Sequence, residues 1–206
     1  MASWDNWLPE LQLVAPAAPV PLIYQCINRA ARSFLRQTRA WQEWLEPVEV
    51  TGEAFKEYTF DLPQGSELLR IERATGDGRP ISVANGRDLP SDPWRHSQRG
   101  CAYLVSTDLR NFTVGASGVS SPVQAYVSLV PTTRATSVPD TVGTLYHEAI
   151  RDGAKAELLN TPGTTYYLPD QAAVAVALFQ RAIDRGSTDV WRSSTGRVSR
   201  GRTRWL

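Results

Sequence analysis

The strongest hydrophobic period runs from Pro19 to Leu45. Ile23, Ile27, Ala30, Phe34, Thr38, Trp41 and Leu45 recur at steps of three and four, the spacing of one face of an α-helix. Pro19 and Pro21 fit the first turn, where a missing N–H costs nothing, and Pro47 ends the element. Before it, Leu8-Pro9-Glu10 and the Pro16 to Pro21 cluster read as an extended approach. Helical periodicity returns after Pro139. Asp140 is a good N-cap for a helix reaching Leu159 or Asn160, and Ala149, Gly153, Ala154 and Ala156 allow close packing. Thr161-Pro162-Gly163 is a stop. Pro169-Asp170 starts a last helix, with Val174, Leu178, Phe179 and Ile183 on the expected buried side and Gly186 closing it.

Between these helical segments the period changes to two. Val48-Glu49-Val50, Tyr58 to Leu62 and Leu69 to Arg73 alternate, and Gly76-Asp77-Gly78 supplies a turn from which Ile81-Ser82-Val83 returns as a hairpin partner. After an irregular stretch around Pro90 to Gly100, short strands are expected near Ala102 to Val105, Asn111 to Val114 and Ala125 to Val130. The fold class is therefore α+β: a three-helix-based α bundle with an inserted small antiparallel β domain and an extended C-terminal arm. The expected divisions are 1–46 with 138–187 for the helical core, 47–137 for the β domain and 188–206 for the arm.

Composition changes this picture in three places. With 206 residues, 42% hydrophobic and 21% charged, the chain is long enough for a core without a metal or disulfide staple. A net charge of +1 excludes a uniformly basic nucleic-acid binder, and two cysteines and two histidines exclude a disulfide scaffold and a four-cysteine zinc site. The charge is uneven, however. Val190 to Leu206 holds five arginines and no acid, so the rest of the chain sums to −4. Of 22 basic residues only Lys56 and Lys155 are lysine, which favours planar bidentate contacts. The opening Trp4-Asp5-Asn6-Trp7 lacks the order of a signal peptide. The uncharged stretch Asn111 to Thr133 is broken by Pro122 and Pro131, so no membrane span is expected.

Three blocks carry a family resemblance. Leu8-Pro9-Glu10 with the segment Pro21 to Glu43, the segment Tyr58 to Ile81, and the segment Leu145 to Gly186 resemble, in order, the opening helix, β block and closing helix pair of head-to-tail adaptor proteins of tailed bacteriophages. The 86 residues from Val48 to Thr133 resemble the version with a large β insert, as in short-tailed phages. The resemblance implies a structural protein of the virion neck, between capsid portal and tail, assembled in the host cytoplasm. It implies a ring of twelve copies beneath the portal, with genomic DNA passing through a central channel without sequence specificity. A tail tube or nozzle protein would bind its lower face. It implies no enzyme activity, no cofactor and no membrane.

Two groups of residues are candidate sites. Trp191, Arg192, Arg197, Arg200, Arg202, Arg204, Trp205 and Leu206 form the arm that, by the resemblance, would reach the portal; aromatic and arginine side chains anchor interfaces. Arg29, Arg32, Arg36 and Arg39 form a basic stripe on the first long helix, facing DNA, an acidic protein surface or solvent. Trp4 and Trp7 either cover their own bundle or pack on an adjacent subunit. His147-Glu148 lacks the H-E-x-x-H pattern because position 151 is Arg, so surface pairing is the simpler role. Cys26 reads as a core residue, and nothing marks Cys101 as a nucleophile. The alternative function is a nucleic-acid-binding protein that grips phosphates with the arginine-rich tail.

Overall fold

The computed structural model describes the chain except for residues 52, 54–55, 77, 86–102, 107–109, 116–121 and 196–206. The protein is α+β. It divides into two compact units: one formed by Met1–Ala40 with the chain from Thr136 onward, the other by Trp41–Ala135.

Five α-helices are found in the first unit among the described residues: α1 (Leu8–Val14), α2 (Val20–Thr38), α3 (Asp140–Leu145), α4 (His147–Leu159) and α5 (Pro169–Thr195). A 3-10 turn, Trp4–Asn6, precedes α1. Strand β1 (Ala2–Ser3) pairs antiparallel with β10 (Ser137–Val138). Helices α2, α4 and α5 pack on one another, and α1 lies against α2 and α4. Ile23, Ile27, Ala31, Phe34, Leu35, Ile150, Ala154, Leu158 and Leu159 are wholly buried. Gly153 is where α2, α4 and α5 meet: a Cβ there would lie 2.9 Å from Ala30 Cβ and 2.8 Å from Phe179 Cε2.

Four helix expectations are corrected. The helix expected through Leu45 stops at Thr38, because Arg39 turns left-handed at φ 55° while its N–H still bonds Leu35 O at 2.9 Å. Trp41 and Leu45 are buried in the other unit. Their four-residue step fits one face of a helix and equally one face of a strand, so period alone could not separate the two. The expected extended approach contains α1, since Pro9 is tolerated in a first turn and Trp7 and Leu11 bury one turn apart. The single helix expected from Asp140 is kinked at Tyr146 (φ −119°, ψ 23°), whose ring packs on Phe34 at 4.8 Å between centroids. Gly186 does not end the last helix. It is buried where a Cβ would lie 3.0 Å from Phe34 Cζ and 3.1 Å from Thr38 Cγ2, so glycine serves packing, and α5 continues to Thr195.

The second unit is a curled sheet of β2 (Gln42–Trp44), β3 (Val48–Glu49), β4 (Glu57–Thr59), β5 (Ser66–Gly76), β6 (Arg79–Asn85), β7 (Tyr103–Ser106), β8 (Asn111–Val114) and β9 (Pro122–Pro131). The order is β2-β9-β5-β6-β7-β8-β4, and β3 also pairs with β9. Two register shifts between β5 and β9 bend the long central pair. Strand β6 pairs with β5 through Ala74 to Gly76, then leaves it to pair with β7 through Ser82 to Asn85. That second pairing is parallel, which corrects the expected antiparallel domain. Parallel neighbours cannot be joined by a tight hairpin, and β6 ends at Asn85 while β7 begins at Tyr103. The core contains Val123, Ala125, Val127 and Leu129 of β9 with Leu104 and Phe112, and Phe60 stacks on Phe112 at 4.2 Å.

The closeness at Gly153 gives a direct test. Gly153→Ala should destabilise the protein by about 1–2 kcal/mol in urea unfolding. Overpacking costs about 1–3 kcal/mol, and alanine's better helix propensity returns only about 1 kcal/mol. A gain in stability would mean that the three helices can part without loss.

Candidate functional site

The basic stripe of α2 has three members on the helix. Arg29, Arg32 and Arg36 fall within an arc of about 60° at 100° per residue, opposite the buried Ile27, Ala31 and Phe34. Arg29 and Arg36 are exposed and Arg32 is half-buried. Arg39 is the C-cap. Its left-handed backbone takes it off the helical arc, so the expected four-residue stripe is a three-residue stripe with a displaced neighbour. Arg29 Nη1 lies 3.9 Å from Glu157 Oε2 on α4. Burial raises the Glu157 carboxyl above its ordinary value, while Arg29 and Cys26 act to lower it. Burial likewise pushes the Cys26 thiol up to about 11, so it is a core thiol, as its 3% exposure also says.

Trp191 and Arg192 are not on an extended arm. Both are exposed on the last turns of α5, which corrects the expected start of the arm at residue 188. Arg197, Arg200, Arg202, Arg204, Trp205 and Leu206 lie outside the described residues, as does Cys101.

Trp4 and Trp7 are buried within their own unit, at 2% and 0% exposure. Trp7 organises a polar cluster between α1 and α4. Its ring stacks on His147 at 4.9 Å and 12°, and its Nε1 donates to His147 O at 2.9 Å. His147 Nε2 lies 2.9 Å from Glu10 Oε1, and Arg151 Nη1 donates to Glu10 Oε2 at 3.3 Å. Arg151 also binds Asp152 Oδ1 at 3.0 Å. The His147 hydrogen bond, with Arg151 adding to it, holds the Glu10 carboxyl below its ordinary value. Sequence reading singled out His147-Glu148, yet the carboxylate that meets the imidazole is Glu10, 137 positions away.

The last helix carries a surface that sequence reading assigned to the core. Val174 is 62% exposed and Leu178 43% exposed. Of the expected side, Ile183 is buried and Phe179 reaches Gly153, and Ala172, Ala175 and Gly186 complete the inward face. Small residues face inward where the helices approach closely, and Val174 and Leu178 are left outside. Arg181 and Arg185 follow Val174 and Leu178 along the same solvent face.

In the β unit two open grooves, about 490 and 530 Å³, run beside β5. The first has Trp44, Arg70 and Glu72 in its wall; Arg70 Nε is 3.8 Å from Glu72, whose Oε1 accepts from Ser128 Oγ at 2.7 Å. Among the described residues no helix is long and apolar enough to cross a membrane. Comparison of the chain with protein-family models and with curated proteins finds no match.

The Glu10 cluster has a pH signature. Its folded carboxyl titrates below the unfolded value near 4.5, so its stabilisation is complete above that pH and is lost as pH falls through the folded value. Glu10→Gln should therefore lower stability slightly at neutral pH and flatten the acid limb of a stability–pH curve below about 4.5. The effect stays small because Glu10 is 42% exposed. Denaturation midpoints from pH 3 to 7 check it; parallel curves for the two proteins would refute it.

Proposed function

We propose that this protein is a head-to-tail adaptor of a tailed bacteriophage virion. It forms a ring, twelve copies by analogy with such adaptors, that joins the portal to the tail and surrounds the DNA channel. In this reading α2, α4 and α5 are a three-helix bundle, and the β unit is its insertion. The observation that carries the reading is organisational. A helical unit assembled from both ends of the chain is interrupted by the contiguous β unit Trp41–Ala135, and this follows the order of the three resembling sequence blocks. The end of α5 supports it further, since exposed Trp191 and Arg192 lead into the arginine-rich residues 197–206.

In this reading residues 190–206 are the portal contact. Arginine forks pair with portal carboxylates, and Trp191, Trp205 and Leu206 supply apolar anchors. Exposed charge pairs contribute only about 0–1 kcal/mol each, so the arginines need those anchors. Arg29, Arg32 and Arg36 face the channel DNA or a neighbouring copy.

Sedimentation with purified portal tests the proposal. The full chain should co-sediment with the portal, and a chain lacking residues 197–206 should not, while its melting temperature stays within about 2 °C of the full chain because the removed segment is mostly Arg, Ser, Thr and Gly. Full binding by the truncated chain would remove the arm from the contact. No binding by either would reject the adaptor reading. In that case a steep salt dependence of DNA binding, lost on truncation, would identify the alternative of a phosphate-gripping tail.

A further inference from the structure

The outward face of α5 has a pattern that fits itself. Asp170, Ala173, Val174, Ala177, Leu178 and Arg181 are all exposed, and they follow one another at helical spacing on the side opposite Ala172, Ala175 and Ile183. Asp170, Val174, Ala177 and Arg181 form the centre of that face, at steps of four, three and four. Val174 and Leu178 leave apolar surface in water, and the alanines beside them leave room for a second backbone to approach. Asp170 and Arg181 have no ion pair or side-chain hydrogen bond among the described residues.

Reversing the direction of this helix reproduces its own complement. When two copies of α5 lie antiparallel with their midpoints between Ala175 and Val176, Asp170 of each stands opposite Arg181 of the other. Val174 then faces Ala177, while Leu178 lines one flank of the seam and Ala173 the other. This is the a-to-d register of an antiparallel helix pair. A carboxylate meets a guanidinium at both ends, and Val174 meets the small Ala177 twice between them. The pattern selects the antiparallel direction, because a parallel pair in register would set Asp170 against Asp170 and Arg181 against Arg181. Every contact occurs twice about a two-fold axis, as an isologous interface requires.

We propose that α5 is a self-association surface, and that the protein forms a two-fold dimer through an antiparallel α5–α5 contact in this register. The stripe spans about 16 Å at 1.5 Å per residue, so its area falls below that of standard stable interfaces. The dimer is therefore weak and reversible. The contact stands on this helix face alone and does not depend on the neck reading.

Sedimentation velocity over a concentration series, with full-length protein, reads the dimer directly. Asp170→Arg places two arginines together at both ends of the contact, and Arg181→Asp places two carboxylates together. Each variant alone should weaken dimerisation on the order of tenfold, since two exposed pairs change from attraction to repulsion. An equimolar mixture of the two should dimerise again, because the heterodimer restores an Arg–Asp pair at both ends. The variant carrying both exchanges should also dimerise. Far-UV circular dichroism and melting establish that each variant is folded, and Asp170→Asn with Arg181→Gln provide milder versions that weaken without repulsion. A protein that stays monomeric throughout the series overturns the proposal. So do single variants that dimerise as well as the parent, or a mixture no better than its components.

Discussion

Three helices meet at a position that has no side chain, and the helical unit is arranged around that contact. At Gly153 a single methyl group would collide with Ala30 on α2 and with Phe179 on α5. Gly186 repeats the device one level along, against Phe34 and Thr38. Phe34, which meets the Gly186 site, packs beside Tyr146 at 4.8 Å and Phe179 at 6.3 Å between centroids. Close backbones make dense packing, and each methylene buried this way contributes about 0.8 kcal/mol. They also dictate orientation. To bring Phe179 over Gly153, α5 must turn Ala172 and Ala175 inward, and this puts Val174 and Leu178 in water. The exposed apolar face of α5 is thus a consequence of core geometry.

The passage from helix to sheet has its own local cause. Thr38 Oγ1 donates to Phe34 O at 2.9 Å and accepts from Ala40 N at 3.3 Å, so one hydroxyl closes α2 and holds the residues after it. Arg39 between them takes the left-handed conformation, which costs a non-glycine residue roughly 1–2 kcal/mol. From Trp41 the backbone enters the sheet: Trp41 O accepts from Leu129 N, and Leu45 N donates to Ala125 O, both at 2.9 Å. In the sheet, β9 carries the load because it pairs with β2, β3 and β5, and its residues from Val127 to Pro131 are buried without alternation.

Elements whose pattern was produced by one partner surface were legible in the sequence. The start and buried side of α2 follow its three-and-four spacing, strand Asn111–Val114 is where alternation places it, and Ile81 returns beside Ala74 as the turn glycines suggest. What was not legible depended on contacts distant in sequence. Helix α1 exists because Trp7 and Leu11 meet α2 and α4, which local proline content conceals. Gly186 reads as a terminator by propensity, but Phe34 makes it a packing position. Glu10 was absent from the candidate residues because its partner His147 comes from the other end of the chain. On α5 the expected buried side holds for Ile183 and fails for Val174 and Leu178, because the close approach at Gly153 and Gly186 sets which side turns inward.

The same separation decides which arginines are available to a partner. On α2, Arg29 lies near Glu157, Arg32 is half-buried and Arg39 is held in the cap, so its positive charge is partly engaged within the protein. On α5, Arg181 and Arg185 stand on the face that packing left outward, beside exposed aliphatics and without an internal carboxylate partner among the described residues. An arginine already near a carboxylate must give up part of that interaction before it can bind elsewhere, whereas one in water loses only hydration. Charge count therefore favours α2 as the binding helix, and the arrangement of charge with exposed apolar surface favours α5. The second criterion is the stronger one, because apolar contact supplies affinity that exposed charge pairs, at about 0–1 kcal/mol each, do not.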